Sequence, residues 1–325
     1  MKYLAAYVLG LLPLIMTTDA ACAPAPARYP ERPVRLVVPF APGGTNDVIA
    51  RIVGERLASR LGQPVVVDNR AGANSVVGSE IVARSTPDGH TLLIVAAGFA
   101  INPSLQRKLP YDTLRDFAPI GLVCGGPYLM VVHPSVPAKT VSEFVAWAKS
   151  RPGQVNYASV GVGSPPHLAA ELLKISAGVE LNHIPYKGGG AVLPDLMAGR
   201  VSAFFGSIST LKPQVDAGKL RAIAVTTLKR ASAMPDLPTF VESGLKGYEV
   251  DGWYGLLAPG KTPTMIVNRL HAELQHVLSE PETRDRFVQR GMEPATGTAQ
   301  AFAALIRSEM TKWGKVIRAA GITPE

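Results

Sequence analysis

Apolar residues fall into two alternating rhythms along this chain. Val34 to Val38 is an unbroken run of the kind a strand shows when both of its faces are covered, apart from Arg35, and it stops at Pro39. Val48, Ile49, Ile52, Val53 and Leu57 then recur at helical spacing, which predicts a helix over 46–60 ending near Gly62. A strand over 65–68, a helix over 75–84, the turn Pro87-Asp88-Gly89 and a strand over 91–96 continue the design. Strands of Val, Leu and Ile separated by helices predict a parallel sheet with helices on both faces.

From residue 128 the alternation begins again. A strand over 128–132 leads to a helix over 140–150, where Thr140 and Glu143 form a capping-box pattern. Strands over 155–158, 181–185, 201–205 and 221–226 follow, with helices between them, one over 166–177 and one running to Met197. The remainder has strand character only from Trp253 to Leu257, then helices over 263–279, 282–290 and 299–319. That is too little strand for a third domain, so it is expected to complete the first. The fold class is therefore α/β with two lobes, each a mainly parallel sheet flanked by helices. Lobe 1 is expected over 33–130 plus 252–325 and lobe 2 over 131–251. Two crossovers describe a hinged clamshell whose ligand sits at the carboxyl ends of the strands.

Composition narrows the possibilities. The chain has 325 residues, 47% hydrophobic and 18% charged, enough for a sizeable core. The net charge of +8 does not point to nucleic acid, because Lys and Arg are scattered and no basic run interleaves with aromatics. Met1-Lys2, the apolar stretch Tyr3 to Met16 and the small residues after it have the layout of a signal peptide over 1–20, followed by an Ala/Pro-rich leader over 21–32. The apolar stretch is too short to span a bilayer, so cleavage and a periplasmic location are expected. Lipid anchoring through Cys22 is the competing reading, disfavoured by Asp19 three residues before it. Cys124, the other cysteine, is expected to be a buried small hydrophobe without a disulfide.

No catalytic, cofactor or metal motif survives. Gly255-Leu-Leu-Ala-Pro-Gly260-Lys261-Thr262 matches a phosphate-loop pattern, but Leu256 and Leu257 read as strand interior and Pro259 removes a donor. There is no GxSxG elbow, and His271 and His276 lie on different faces of a helix. What remains is a set of glycine- and hydroxyl-rich loops that each open a helix: Pro42 to Thr45, Gly72 to Ser75, Ser159 to Ser164 and Lys187 to Gly190. Glycine allows close approach and a helix N-terminus offers unpaired N–H groups, so such loops bind carboxylates without an arginine. Asp47 is expected to complement a helix dipole rather than touch ligand. Phe40 and Phe99 are candidate ligand-flanking rings, His167 a candidate anion donor, and Tyr186 and Trp253 candidate gates. Gly43→Pro, which removes an N–H, is expected to abolish binding and spare the fold.

The blocks YPERPVRLVVPFAPGGTNDVIAR, VVVDNRAGAN, PDGHTLLI, AINPSL, NYASVGVGSPPHLAAELL, HIPYKGGGAVLPDLMAGRV, AGKLRAIAVTT and WYGLLAPGKTP resemble the Bug proteins, the periplasmic solute-binding receptors of tripartite tricarboxylate transporters. The likeness runs from about residue 30 to the C-terminus. It implies a periplasmic-binding-protein-like clamshell, a monomer with no cofactor and no catalysis, which captures a small carboxylate and delivers it to membrane permease subunits. The implied ligand residues are Phe40, Ala41, Gly43, Gly44, Thr45 and Asn46 in the first loop, with Asn74 and Phe99. In the second lobe they are Ser159, Gly161, Gly163, Ser164 and His167, then Tyr186, Lys187 and Gly188, then Gly206 and Ser207. Gly206-Ser207 stand where many relatives carry an acid, which favours a plain carboxylate over an amine-bearing ligand. Ala71, Gly98-Phe99 and Gly260-Lys261 are further departures. A sensory protein that presents ligand to a kinase, and an exported hydrolase or isomerase using the same cleft, are the alternative readings.

Overall fold

The computed structural model describes residues 29–186 and 188–324, so the expected signal peptide, Cys22 and Lys187 lie outside the described residues. The chain runs through β1 (Val34–Val38), α1 (Thr45–Leu61), β2 (Val65–Asn69), a short 3-10 turn (Ala73–Ser75), α2 (Val76–Ala83), β3 (Thr91–Ala96), α3 (Gly98–Leu105) and β4 (Phe117–Gly125). It crosses into β5 (Tyr128–Val132), α4 (Val141–Lys149), β6 (Val155–Ser159), α5 (Pro165–Ala177), β7 (Leu181–Pro185), α6 (Gly189–Met197), β8 (Ala203–Ser207), α7 (Ile208–Asp216) and β9 (Arg221–Val225). It returns through β10 (Tyr254–Pro259), α8 (Thr264–Ser279), α9 (Pro281–Val288), β11 (Glu293–Pro294) and α10 (Ala299–Ala319).

Two sheets result, ordered β11-β4-β10-β3-β1-β2 and β7-β6-β8-β5-β9. Around β1 and β6 the pairing is parallel, as the unbroken apolar runs predict. Each sheet also contains an inner strand that runs against both of its neighbours, β10 in the first and β5 in the second, and the short edge strand β11 runs against β4. Strands β10 and β5 are those by which the chain enters a sheet from the other lobe, so each arrives from the opposite side. Helices cover both faces of each sheet. In the first, Leu36 packs beneath α1 and α8 while Val37 and Leu93 face α2, α3 and α10. In the second, Met130 and Phe205 face α4 and α5 while Leu129 and Phe204 face α6 and α7.

Two expectations are corrected, and two elements left unassigned in the sequence are added. A lobe boundary at 130/131 would cut β5, which belongs wholly to the second sheet; the change of sheet falls at Gly126-Pro127. Segments β4 and α3 carry no clear period in the sequence, since Pro119 and Pro103 interrupt them, yet both form against tertiary partners. The closing segment does more than complete lobe 1: Trp313, Val316 and Ile317 of α10, with Ile101 and Leu105 of α3, pack into the core of lobe 2.

Both glycines of the phosphate-loop lookalike are packing glycines. A Cβ on Gly255, inside β10, would stand 2.0 Å from Phe302 Cζ, and one on Gly260 would stand 2.2 Å from the Arg115 carbonyl oxygen. The run from Gly255 to Pro259 is strand rather than a loop that could cradle a phosphate.

Candidate functional site

The carboxyl ends of β1, β3, β6 and β8 face one another across a cleft of about 380 Å3 between the two sheets. Of the residues anticipated from sequence, Phe40, Thr45, Asn46, Asn74, Ser164, Gly206 and Ser207 line it. None of the described lining residues carries a charged side chain. Among the described residues, recognition of charge therefore falls to backbone amides and hydroxyls.

Helix N-termini supply that charge. Thr45 and Asn46 are the first two residues of α1, and Gly98 is the first of α3. Pro165 opens α5, Gly189 opens α6, and Ser207 is the N-cap of α7. Every helix leaves its first amides without an intrahelical acceptor, which gives the end a partial positive charge. At α5 the donors are missing or used, since Pro165 and Pro166 have no N–H and the His167 amide donates to Ser164 Oγ at 3.4 Å. At α1 and α7 they are free. Gly44 has no side chain to cap α1, and Ser207 turns its hydroxyl to Thr210 Oγ1 at 2.8 Å instead of capping α7.

The loops expected to donate spend their amides internally. Gly43 N donates to Asp47 Oδ2 at 2.9 Å, and Asn69 Nδ2 donates to Asp47 Oδ1 at 3.1 Å. Asp47 thus holds the loop in shape, in keeping with its expected structural role. Gly43 has φ +81, which proline cannot adopt, so Gly43→Pro would break the loop as well as remove a donor. In lobe 2, Gly161 N donates to Ser159 Oγ at 3.1 Å and Gly163 N donates to His167 Nδ1 at 2.9 Å. Gly161 has φ +134, and Gly163 is pressed on Leu105 of α3, 2.1 Å from the position of a Cβ. Ala41, Gly43, Gly44, Gly161, Gly163 and Gly188 consequently shape the walls without lining the cleft.

Five further candidates are displaced. Phe99 is buried and stacks on Tyr111 at 6.2 Å and edge-on to Phe117 at 5.1 Å, so it is core. Ser159 is buried, with its hydroxyl 2.6 Å from His183 Nε2, beneath the loop rather than in the cleft. Tyr186 donates its hydroxyl to Asp195 Oδ2 at 2.8 Å and so points toward α6. Trp253 is buried against Phe302, its indole N–H donating to Glu309 Oε2 at 3.4 Å, and cannot gate the cleft. His167 accepts from the Gly163 amide and stacks on His183 at 3.9 Å, which makes it a loop anchor instead of an anion donor.

Burial, with help from His183 and Lys174, lowers the pKa of His167 to about 3. The neutral ring's contribution to stability is therefore complete above about pH 6.5 and is lost as the pH falls toward 3; each unit of depression is worth about 1.4 kcal/mol. His167→Gln keeps an acceptor for Gly163 and removes the titration. Its melting temperature is expected to fall less than that of the native chain between about pH 7 and pH 4, as thermal melts will show.

Several lining residues escaped the sequence reading. Tyr128 and Tyr254 each open the strand that enters a lobe, β5 and β10, and both line the cleft. Burial raises the phenol pKa of both, and Tyr254 faces Thr45, so each offers a neutral hydroxyl. Phe204 closes one wall: a Cβ on Gly206 would stand 2.6 Å from its ring, so no acid fits at 206 in this chain. Ala73, Asn74 and Ser75 all have positive φ, 44°, 49° and 75°. That strain persists because buried Asn102 clamps the turn: its Nδ2 donates to the Asn74 carbonyl at 2.9 Å, and its Oδ1 accepts from Asn74 Nδ2 at 2.9 Å. Only the block AINPSL marked Asn102 in the sequence.

Known proteins share this fold. The family described as tripartite tricarboxylate transporter family receptor matches residues 49–322. Protein BugT of Bordetella pertussis is 34% identical over 317 residues, 97% of each chain. The solved structure of R. palustris Rpa4515 with adipate is 36% identical with a TM-score of 0.81, covering 91% of this chain and 100% of that one. MatC (Rpa3494) from Rhodopseudomonas palustris with bound malate is 32% identical with a TM-score of 0.76, covering 89% and 100%. By sequence and by fold, this chain belongs to the tripartite tricarboxylate transporter receptor family.

Proposed function

We propose that the chain is a periplasmic receptor that captures a small organic carboxylate between its lobes and presents it, as a monomer and without chemical turnover, to membrane permease subunits. One observation carries this reading: a cleft whose described lining residues include no charged side chain faces the uncapped N-termini of α1 in lobe 1 and α7 in lobe 2. A carboxylate there accepts from first-turn amides and lies along two helix dipoles. The hydroxyls of Thr45, Thr210 and Tyr254 complete its shell. Closure around the ligand excludes water, which strengthens each of these bonds. Neighbours with adipate and malate favour an aliphatic acid. Export by cleavage after residue 20 belongs to the same reading.

Mass spectrometry of small molecules released on denaturing the protein, followed by calorimetry of the released compounds, tests it. An organic acid is expected; release and rebinding of only amines or sugars would refute it.

Thr45→Pro isolates the backbone donor. Position 45 is the first residue of α1, where proline is favoured, and Gly44 already has φ −79 and ψ 170, which suits a following proline. Relative to Thr45→Ala, the proline variant is expected to lose roughly 2 kcal/mol of affinity, about 30-fold, with an unchanged melting temperature. Calorimetry of both variants with the released acid reads the difference.

A further inference from the structure

The two crossovers between the lobes are zipped into one ribbon. Pro127 and Asp251 form an antiparallel bridge, and Gly252 N donates to the Gly126 carbonyl at 2.9 Å. One carboxylate fastens it: Asp251 Oδ1 accepts from Gly126 N at 2.9 Å and lies against Gly125, 3.1 Å from where a Cβ would stand. Behind the ribbon is a second cavity of about 310 Å3, floored by Gly126, Pro127 and Asp251 and walled by Leu228 of lobe 2 and Gly291 and Glu293 of lobe 1. A narrow passage shares Gly126 and Pro127 with this cavity and Tyr128 and Tyr254 with the ligand cleft. Any bend of the ribbon therefore changes the spaces on both sides of it.

We propose that Asp251 is the positioning residue of the hinge, its ionised carboxylate stiffening the ribbon so that its protonation frees the lobes to move. This rests on the clamshell reading but not on the nature of the ligand. A charge-assisted bond to an amide is about twice as strong as a neutral one, so losing the charge weakens the clasp without removing it. The groups around Asp251 are Glu249 beside it, Glu309 and Lys312 on α10, Cys124 on β4, and the hydroxyls of Tyr128 and Tyr254, with Lys229, Arg230 and Glu293 lining the cavity it floors. Burial above all, with Glu249 and Glu309, raises its pKa to about 6, against the pull of the Gly126 amide and Lys312. A pKa raised on folding means that ionisation costs stability, a cost that sets in as the pH rises from about 4 through 6. A carboxylate that destabilises the fold yet spans both crossovers is one whose use lies in the hinge.

Interlobe distance measurements by pulsed electron resonance test this without ligand, using the native chain, Asp251→Asn and Asp251→Ala. Nitroxides are carried on non-natural residues at exposed positions 59 of α1 and 175 of α5. The native distance distribution is expected to be narrow at about pH 8 and broader at about pH 5. Asp251→Asn, neutral but still an acceptor, is expected to match the native chain at pH 5 at both values, and Asp251→Ala to be broader still. In melts at about pH 8, Asp251→Asn is expected to be roughly 3–6 °C more stable than the native chain, with the gain gone near pH 4. An unbroadened Asp251→Ala, or an Asp251→Asn that keeps the native pH response, would overturn the proposal. Because no ligand is present, either outcome leaves the carboxylate reading to its own test.

Discussion

Asn46→Asp is expected to abolish carboxylate capture while leaving the fold intact. Asn46 is the second residue of α1 and lines the cleft, and its Oδ1 is buried without a partner among the described residues. Aspartate has the same shape and places a negative charge beside the proposed position of the ligand's own. At about 4 Å and an effective dielectric near 20, the repulsion is about 4 kcal/mol, or roughly three orders of magnitude in affinity. Stability runs the other way, since an acid in the first turn complements the helix dipole by about 0.3–1 kcal/mol. Calorimetry and thermal melts on the same variant should thus move in opposite directions. Loss of both would mean that Asn46 serves packing; retention of affinity would mean that the anion sits elsewhere.

Gly255→Ala is expected to produce the largest loss of stability from a single methyl group. Gly255 is the second residue of β10, paired with β3 on one side and β4 on the other, so its backbone cannot shift without disturbing the sheet. The new Cβ would enter the ring of Phe302, itself buried against Trp253. Overpacking of this kind costs about 1–3 kcal/mol and more where neither partner yields; the melting temperature is expected to fall by roughly 5–10 °C. Pairing it with Phe302→Leu should recover part of the loss, and a double-mutant cycle of melts measures that coupling. Strict additivity would show that the clash lies elsewhere.

Much of this architecture was legible because burial on both faces writes itself as unbroken Val, Leu and Ile runs, as at Val34–Val38 and Thr91–Ala96. The antiparallel direction of β5 and β10 was not legible, because an apolar run carries no sign of direction. Nor were α3 and β4, which form through contacts with α10 and β10 despite Pro103 and Pro119. At the site, Pro42 to Thr45 before a helical period marked the start of α1, whose Thr45 and Asn46 line the cleft. The sequence could not say which amides stay free, since that depends on where Asp47 and His167 turn their side chains. Tyr128 and Tyr254 were hidden as ordinary strand residues, and Asn102 acts on a turn 28 residues away.

The proposed recognition of a carboxylate by backbone amides at the helix N-termini rests on the charge of the ligand. Its most direct test is calorimetry of the acid released from the protein against the primary amide of the same carbon skeleton. The acid is expected to bind, and the amide, nearly identical in size and lacking the charge, at least about a hundredfold more weakly. Equal affinity for the two would contradict it.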